Sequence, residues 1–326
     1  MTLDVACLRP RDDFLDVGAI PPKTLSIGYL RPDDSNLAAI FAEVRAVVIP
    51  AVGPKLERAL FENSRIEFVQ VTGAGVDRVD ESTMKEFGIA VANVAGASND
   101  AVAEYTVGSA IALLRRFVWA DAEIRKGRYE EIRSRMIADT LSGLNGLTVG
   151  VVGFGTIGQE VALAFKRMGG RIVFFDPAVD ETDVPPELEA KRLALSKLVA
   201  TADVITLHVP LISATRGLIG EDELALMKRE AILINAARGG VVDETALARV
   251  LEAGELGGVA IDVYEEEPPP YENPLFALKG DAARRTLFTP HIAGVTRQAW
   301  ANLFAAAWEN VVRVVIRGEA PLNRVY

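Results

Sequence analysis

The chain has only two histidines, His208 and His291, and one cysteine, Cys7, so few of its side chains can move a proton near neutral pH. His291 closes the run Thr289-Pro290-His291. Upstream lie Asp262-Val263-Tyr264-Glu265-Glu266-Glu267-Pro268 and Asn235-Ala236-Ala237-Arg238-Gly239-Gly240. A histidine, a carboxylate and an arginine make a set with defined chemistry. The histidine can donate a proton to a carbonyl oxygen as that carbonyl is reduced. A neighbouring carboxylate favours the imidazolium, the form that has a proton to give. The arginine is always charged, and its planar fork can grip a carboxylate and polarise the carbonyl next to it. Each residue also has a plainer reading. His291 could merely end a strand, Glu267 could be a solvated member of an acidic run, and Arg238 could cap a helix or touch only cofactor phosphates.

A reduction needs a hydride, and a second motif points to its source. Gly153-Phe154-Gly155-Thr156-Ile157-Gly158 follows the apolar run Thr148-Val149-Gly150-Val151-Val152 and opens a helical pattern over 159–168. That is the context a dinucleotide fingerprint requires. The first glycine permits a tight turn, the second lets the backbone approach a pyrophosphate, and the third allows helix and strand to pack closely. Backbone N–H groups at the helix start then face the anion. Arg171-Ile172-Val173-Phe174-Phe175 ends in Asp176, 18 positions after Gly158, near the spacing at which a carboxylate accepts from the adenosine ribose. Asp176 therefore predicts NAD rather than NADP.

These residues must be positioned by strands. From residue 147 onward, apolar runs at 147–152, 171–175, 203–209, 231–235, 258–262 and 286–289 alternate with helical segments. They are rich in Val, Ile and Leu without polar alternation, as expected of parallel strands covered on both faces. One helix is bounded by Asp243 before 244–252 and Gly254 after it. Six such strands predict a doubly wound parallel-sheet dinucleotide-binding domain. Ligands of such sheets sit beyond the carboxyl ends of the strands, which is where Arg238, Glu267 and His291 fall in turn. His208 ends the third run and is expected to line the cofactor cleft. The first hundred residues repeat the rhythm on a smaller scale, with candidate strands at 25–30, 46–49, 66–71 and 90–93. Residues 11–23, with Pro21-Pro22, read as an irregular surface segment. Ser98 opens a long helical pattern through Val102, Tyr105, Val107, Ile111, Leu114 and Phe117 to near Gly127, and a last helix spans 298–317.

The 326 residues are half apolar, enough for two ordinary domains. A net charge of −10 disfavours nonspecific nucleic-acid binding. The single cysteine excludes an internal disulfide and a cysteine-based metal cluster, and no metal is expected. No apolar run approaches the roughly 20 residues of a membrane helix. Met1-Thr2-Leu3-Asp4-Val5 lacks the basic region and apolar stretch of a secretion signal, so a soluble cytoplasmic protein is expected.

The chain resembles the D-isomer-specific 2-hydroxyacid dehydrogenases. The likeness runs from about Val69 onward, through Gly73-Ala74-Gly75-Val76-Asp77, Val102-Ala103-Glu104, the glycine fingerprint, His208-Val209-Pro210, Asn235-Ala236-Ala237-Arg238-Gly239, Asp262-Val263-Tyr264, Glu267-Pro268 and Thr289-Pro290-His291. It implies that His291 is the acid/base, Glu267 its partner and Arg238 the substrate anchor, with the backbone of Ala74, Gly75 and Val76 holding the substrate carboxylate. NAD is implied at Gly153, Gly155, Thr156, Ile157, Gly158, Asp176, His208, Val209, Pro210, Thr215, Ala236, Arg238, Asp262, His291 and Gly294, with Asp262 beside the nicotinamide carboxamide. It also implies a smaller flavodoxin-like α/β substrate domain built from 1–98 and 295–326 around a Rossmann domain at 99–294, and a homodimer using the helix from Ser98. The reaction implied is hydride transfer between NAD(H) and a small 2-hydroxy or 2-keto acid of D configuration. Ser98 stands where members often carry asparagine, and residues 1–65 match nothing specific. Related formate dehydrogenases use glutamine in place of the histidine-paired acid, so Glu267 argues against that branch. Two other readings use the same residues. A phosphite dehydrogenase shares the arginine, glutamate and histidine. An NAD-sensing corepressor shares the fold but is expected to carry low-complexity tails, and no low-complexity tract occurs here.

Overall fold

The uninterrupted Val, Ile and Leu runs form strands whose alternate side chains feed two cores. In the computed structural model, which describes residues 3–326, the chain divides into two units, Asn99–Gly294 and Met1–Ser98 with Val295–Tyr326. Met1 and Thr2, read above as part of the N-terminus, lie outside the described residues.

Unit Asn99–Gly294 holds strands β6 (Thr148–Val152), β7 (Arg171–Phe175), β8 (Lys191–Arg192), β9 (Val204–Leu207), β10 (Ile232–Asn235), β11 (Gly258–Ile261) and β12 (Thr286–Phe288). They form one parallel sheet in the order β12-β11-β10-β9-β6-β7-β8. The order reverses between β6 and β9, which makes that boundary the topological switch point. One core takes Ile205, Leu207, Leu233, Val259 and Ile261 together with helices α8 (Leu195–Thr201), α9 (Glu221–Leu226) and α10 (Glu244–Ala253). The opposite core takes Val149, Val151, Val204, Ile234 and Ala260 with helices α4 (Asn99–Leu114) and α7 (Thr156–Arg167). Asp243 caps α10 by accepting the Ala246 N–H, and Gly254 ends it in the left-handed conformation, as the sequence signals predict.

Three expectations change in this unit. The edge strand β8 is two charged residues, too short and too polar to read as an apolar run. The helix expected to reach Gly127 breaks into α4 and α5 (Phe117–Arg125) at Arg116, a left-handed residue (φ 52) held by Asp139 and stacked over Trp119. A further helix, α6 (Tyr129–Ala138), follows where none is expected.

The other unit holds β1 (Val5–Cys7), β2 (Ile27–Tyr29), β3 (Ala46–Pro50), β4 (Phe68–Thr72) and β5 (Ala90–Ala92), all parallel, in the order β2-β1-β3-β4-β5. That is the flavodoxin-like order. Helices α2 (Leu37–Phe41) and α3 (Glu81–Glu86) cover one face. Helices α1 (Arg11–Asp16) and α11 (Arg297–Val315) cover the other. β1 lies second in the sheet, yet it is three small or medium residues that no pattern announces. The segment read as irregular starts with α1, whose Asp12 and Asp13 suit the positive end of the helix dipole. Its Phe14 is fully buried against Phe304 (4.7 Å) and Trp308 (5.1 Å).

Candidate active site

The fingerprint turn sits at the switch point between β6 and α7. Gly153 has φ +90, a region that favours glycine, and a Cβ there would lie 2.6 Å from the His208 carbonyl. A Cβ on Gly158 would lie 2.1 Å from the Gly153 carbonyl, so only glycine lets α7 approach the turn. A Cβ on Gly155 would meet nothing within 4 Å, which leaves the front of the turn open. α7 begins there with Thr156, Ile157 and Gly158, with no acidic residue in its first turn and no side-chain cap. Asp176, at the end of β7, accepts the Phe154 N–H at 2.7 Å and the Ala178 N–H at 2.8 Å. It thereby ties the second strand end to the glycine turn. An open backbone turn, uncapped helix N–H groups and an adjacent carboxylate together fit a dinucleotide with an unmodified ribose.

Across the switch point, His208 follows β9, and its Nε2 lies 2.8 Å from the Thr206 hydroxyl. Burial pushes its imidazole down to about 3, so the ring is neutral. Beyond Val209 and Pro210, the Thr215 hydroxyl donates to the Pro210 carbonyl (2.5 Å) and accepts the Ile212 N–H (2.9 Å), closing that turn.

The three groups proposed for proton transfer and anchoring occupy successive strand ends. After β10, the buried Asn235 side chain accepts the Ala237 N–H and donates to the Arg238 carbonyl, both at 3.1 Å, folding the turn through Ala236. Arg238 Nη1 donates to the Ala237 carbonyl at 2.7 Å. The next residue, Gly239, packs against the chain leaving β11: a Cβ there would lie 1.7 Å from the Tyr264 carbonyl. On that chain, Glu267 Oε1 accepts the Tyr264 N–H (3.1 Å) and Oε2 lies 2.8 Å from His291 Nδ1. Burial alone would raise the Glu267 carboxyl. The hydrogen bond and charge of His291, the Tyr264 N–H and the Arg238 charge outweigh it and hold the group below the usual carboxylate range. His291 Nε2 has no protein partner among the described residues, and a quarter of the side chain is exposed.

Asp262, expected beside a nicotinamide, is fully buried. Its Oδ1 accepts the Thr289 hydroxyl (2.6 Å) and the Ile292 N–H (2.8 Å), and its Oδ2 accepts the Ala293 N–H (2.8 Å). Gly294 follows directly, at the end of this unit. Ala74, Gly75 and Val76 belong to the other unit, in the turn after β4, where the Ala74 carbonyl accepts from Asn93 Nδ2 at 2.7 Å. Thr206, Asn235, Tyr105 and Thr289 are absent from the sequence-derived set. Thr206 was within reach, since residues two apart on a strand share a face. Tyr105 was not, because its partner lies 184 residues away. No cluster of metal-ligating side chains occurs among the described residues. No helix among them is long and apolar enough to cross a membrane.

Residues 107–293 match the family model described as D-isomer specific 2-hydroxyacid dehydrogenase, NAD binding domain. A glyoxylate reductase from Thermococcus litoralis is 35% identical over 88% of this chain and 86% of its own. A D-3-phosphoglycerate dehydrogenase from Methanocaldococcus jannaschii is 36% identical over 86% of this chain, which spans only 51% of that protein. Among solved structures, D-lactate dehydrogenase from Aquifex aeolicus, complexed with NAD and lactic acid, superposes with a TM-score of 0.81 at 26% identity over 98% of each chain. With the fingerprint, the strand-end set and the matched NAD-binding domain in agreement, the chain belongs to the D-isomer-specific 2-hydroxyacid dehydrogenase family.

Proposed function

We propose that the chain transfers a hydride between NAD(H) and a small D-2-hydroxy or 2-keto acid. The observation that carries this reading is the 2.8 Å pair of His291 Nδ1 with Glu267 at the ends of neighbouring strands. The carboxylate holds the ring through Nδ1, so Nε2 is the nitrogen that gives its proton to the carbonyl oxygen during reduction and takes it back during oxidation. Glu267 favours the protonated ring while the proton is needed. Arg238, on the preceding strand end, grips the substrate carboxylate and stabilises charge on the oxygen at C2. When bound, NADH would supply the hydride for reduction, and NAD+ would accept it in the oxidation. The turn of Gly153, Gly155 and Gly158 seats the pyrophosphate, Asp176 takes the ribose hydroxyls, and the turn at Val209, Pro210 and Thr215 flanks the cofactor.

Relatives named glyoxylate reductase and hydroxypyruvate reductase, which this chain covers over most of their length, support a short keto acid, while those named D-3-phosphoglycerate dehydrogenase put a phosphorylated one in the same panel. The test is turnover of a panel of 2-keto acids and phosphite, each with NADH or NAD as the direction requires. Reduction of short keto acids is expected, with NADH preferred over NADPH because Asp176 repels a 2′-phosphate. Turnover of phosphite alone would overturn the reading, and equal kcat/KM with the two cofactors would overturn the role of Asp176.

The same reading includes a homodimer. Phe117, Ile124, Tyr129 and Ile137 on α5 and α6 line a groove of about 530 Å³, and Phe117, Tyr129 and Ile137 are more than half exposed. So much apolar surface on one face calls for a cover. Sedimentation equilibrium is expected to show a dimer that Ile137→Glu weakens; a monomer at micromolar concentration counts against it.

A further inference from the structure

We infer that Thr289 and Tyr105 are positioning residues for His291, acting through Asp262; the inference rests on the reading of His291 as the proton donor. His291 lies in the left-handed region at φ 55, where a residue with a Cβ persists only if its surroundings hold it. Asp262 does the holding. Its carbonyl accepts the His291 N–H at 2.8 Å, and its two carboxylate oxygens accept the Ile292 and Ala293 N–H groups, each at 2.8 Å. The histidine is therefore the first of three consecutive residues whose N–H groups all point at one aspartate.

That aspartate is itself held. Thr289 donates its hydroxyl to Asp262 Oδ1 at 2.6 Å. A threonine hydroxyl has one proton, so with that proton on Asp262 its oxygen accepts from the Tyr105 hydroxyl 2.7 Å away. Tyr105 stands on α4, while Thr289 directly follows β12, so a chain of two hydroxyls ties the aspartate to a helix on the sheet face. The Thr289 carbonyl also accepts the Tyr264 hydroxyl at 3.1 Å, three residues before Glu267. Both partners of the proposed proton-donor pair are thus strung to the backbone around Thr289. Rotation of the Asp262 side chain would release the Ile292 and Ala293 N–H groups together, leave the strained His291 backbone held by the Asp262 carbonyl alone, and move the ring off the line to its substrate. Misplacement by about 1 Å is enough to cost turnover on the order of a hundredfold.

The test compares Thr289→Val, Thr289→Ser and Tyr105→Phe by steady-state kinetics with NADH and the best keto acid, alongside NADH binding by fluorescence titration. Thr289→Val keeps the shape and loses the hydroxyl, and kcat is expected to fall roughly tenfold, the scale of one hydrogen bond to a charged group. The keto-acid KM and NADH affinity are expected to stay within about twofold, since those contacts are not made by Thr289. Thr289→Ser is expected to recover most of the kcat, and Tyr105→Phe to lose about threefold, being one bond further out. Parental kcat in both Thr289→Val and Tyr105→Phe overturns the inference. So does equal loss in the serine and valine variants, or a loss of kcat matched by loss of NADH affinity, which marks general disruption. If Thr289→Val fails to fold, Tyr105→Phe decides alone. His291→Ala separates the two levels: near-parental turnover there overturns the proton-donor reading itself, while an inactive His291→Ala beside parental Thr289 and Tyr105 variants overturns only the positioning chain.

Discussion

The two histidines stand at the same edge of the same sheet, His208 after β9 and His291 after β12, yet their surroundings differ in kind. His208 is given a hydroxyl partner, Thr206, and burial that pushes its pKa to about 3. A neutral ring beside the glycine turn adds no charge next to a dinucleotide. His291 is given a carboxylate on Nδ1, a quarter-exposed ring and a free Nε2 among the described residues. Proton transfer needs a ring that can change charge, and burial denies that to His208. Position at a strand end says where a ligand of such a sheet will lie; the partner of the ring nitrogen is what singles out His291 for the proposed acid role.

The largest effect should come from asking which ring carries the proton. His291→Ala is expected to lower kcat for keto-acid reduction by roughly 10²–10⁴-fold, the usual range for a lost general acid. His208→Gln is expected to lose far less, with the deficit in NADH affinity rather than in kcat at saturating cofactor. Equal losses of kcat in the two variants would dissolve the contrast.

The same contrast shows what a sequence can disclose. The glycine fingerprint, the six apolar strands and the placement of Arg238, Glu267 and His291 were legible because they are properties of runs and of strand ends. β1 and β8 were not, because three and two residues carry too little pattern. The break at Arg116 was hidden because arginine is a good helix former and only its tertiary partners, Asp139 and Trp119, favour the left-handed turn. Asp262 was read as a cofactor contact. Its hydrogen bonds to Thr289, Ile292 and Ala293 arise from the chains leaving two neighbouring parallel strands, and no spacing encodes that.

A smaller effect is expected from making the surroundings of His291 more like those of His208. Glu267→Gln keeps the size and a hydrogen-bonding oxygen but removes the charge. Glu267 is held below the usual carboxylate range, so in the parent it is ionised throughout any assay above about pH 5. Its removal is therefore felt at every working pH. We expect kcat to fall about tenfold or more, with the alkaline limit of reduction moving to lower pH as the ring loses its proton sooner. A pH profile that overlays the parent's, read from initial rates between pH 5 and 9, would break the pairing while leaving His291 intact as the acid. The pair also has a stability signature. With Glu267 depressed, its contribution is present above the carboxylate's unfolded value near 4.3 and is lost only as pH falls through the lower folded value.

The smallest effect concerns His208, and it reads stability rather than turnover. The unfolded ring titrates near 6.5, whereas the folded ring is pushed to about 3. Between those values the unfolded chain binds a proton that the folded chain refuses. Stability therefore rises with pH through this window and is lost as pH falls from about 6.5 toward 3. From pH 8 down to 5 the linkage amounts to about 2 kcal/mol, its slope approaching roughly 1.4 kcal/mol per pH unit below the unfolded value. His208→Gln has no proton to refuse, and its amide can still meet the Thr206 hydroxyl. Urea unfolding at pH 8 and pH 5 should therefore cost the parent about 2 kcal/mol more than the variant, whatever the carboxylates contribute to both. If the parent and His208→Gln lose stability in parallel, the ring at β9 accepts a proton in the folded state. The division of labour between the two histidines would then rest on position alone.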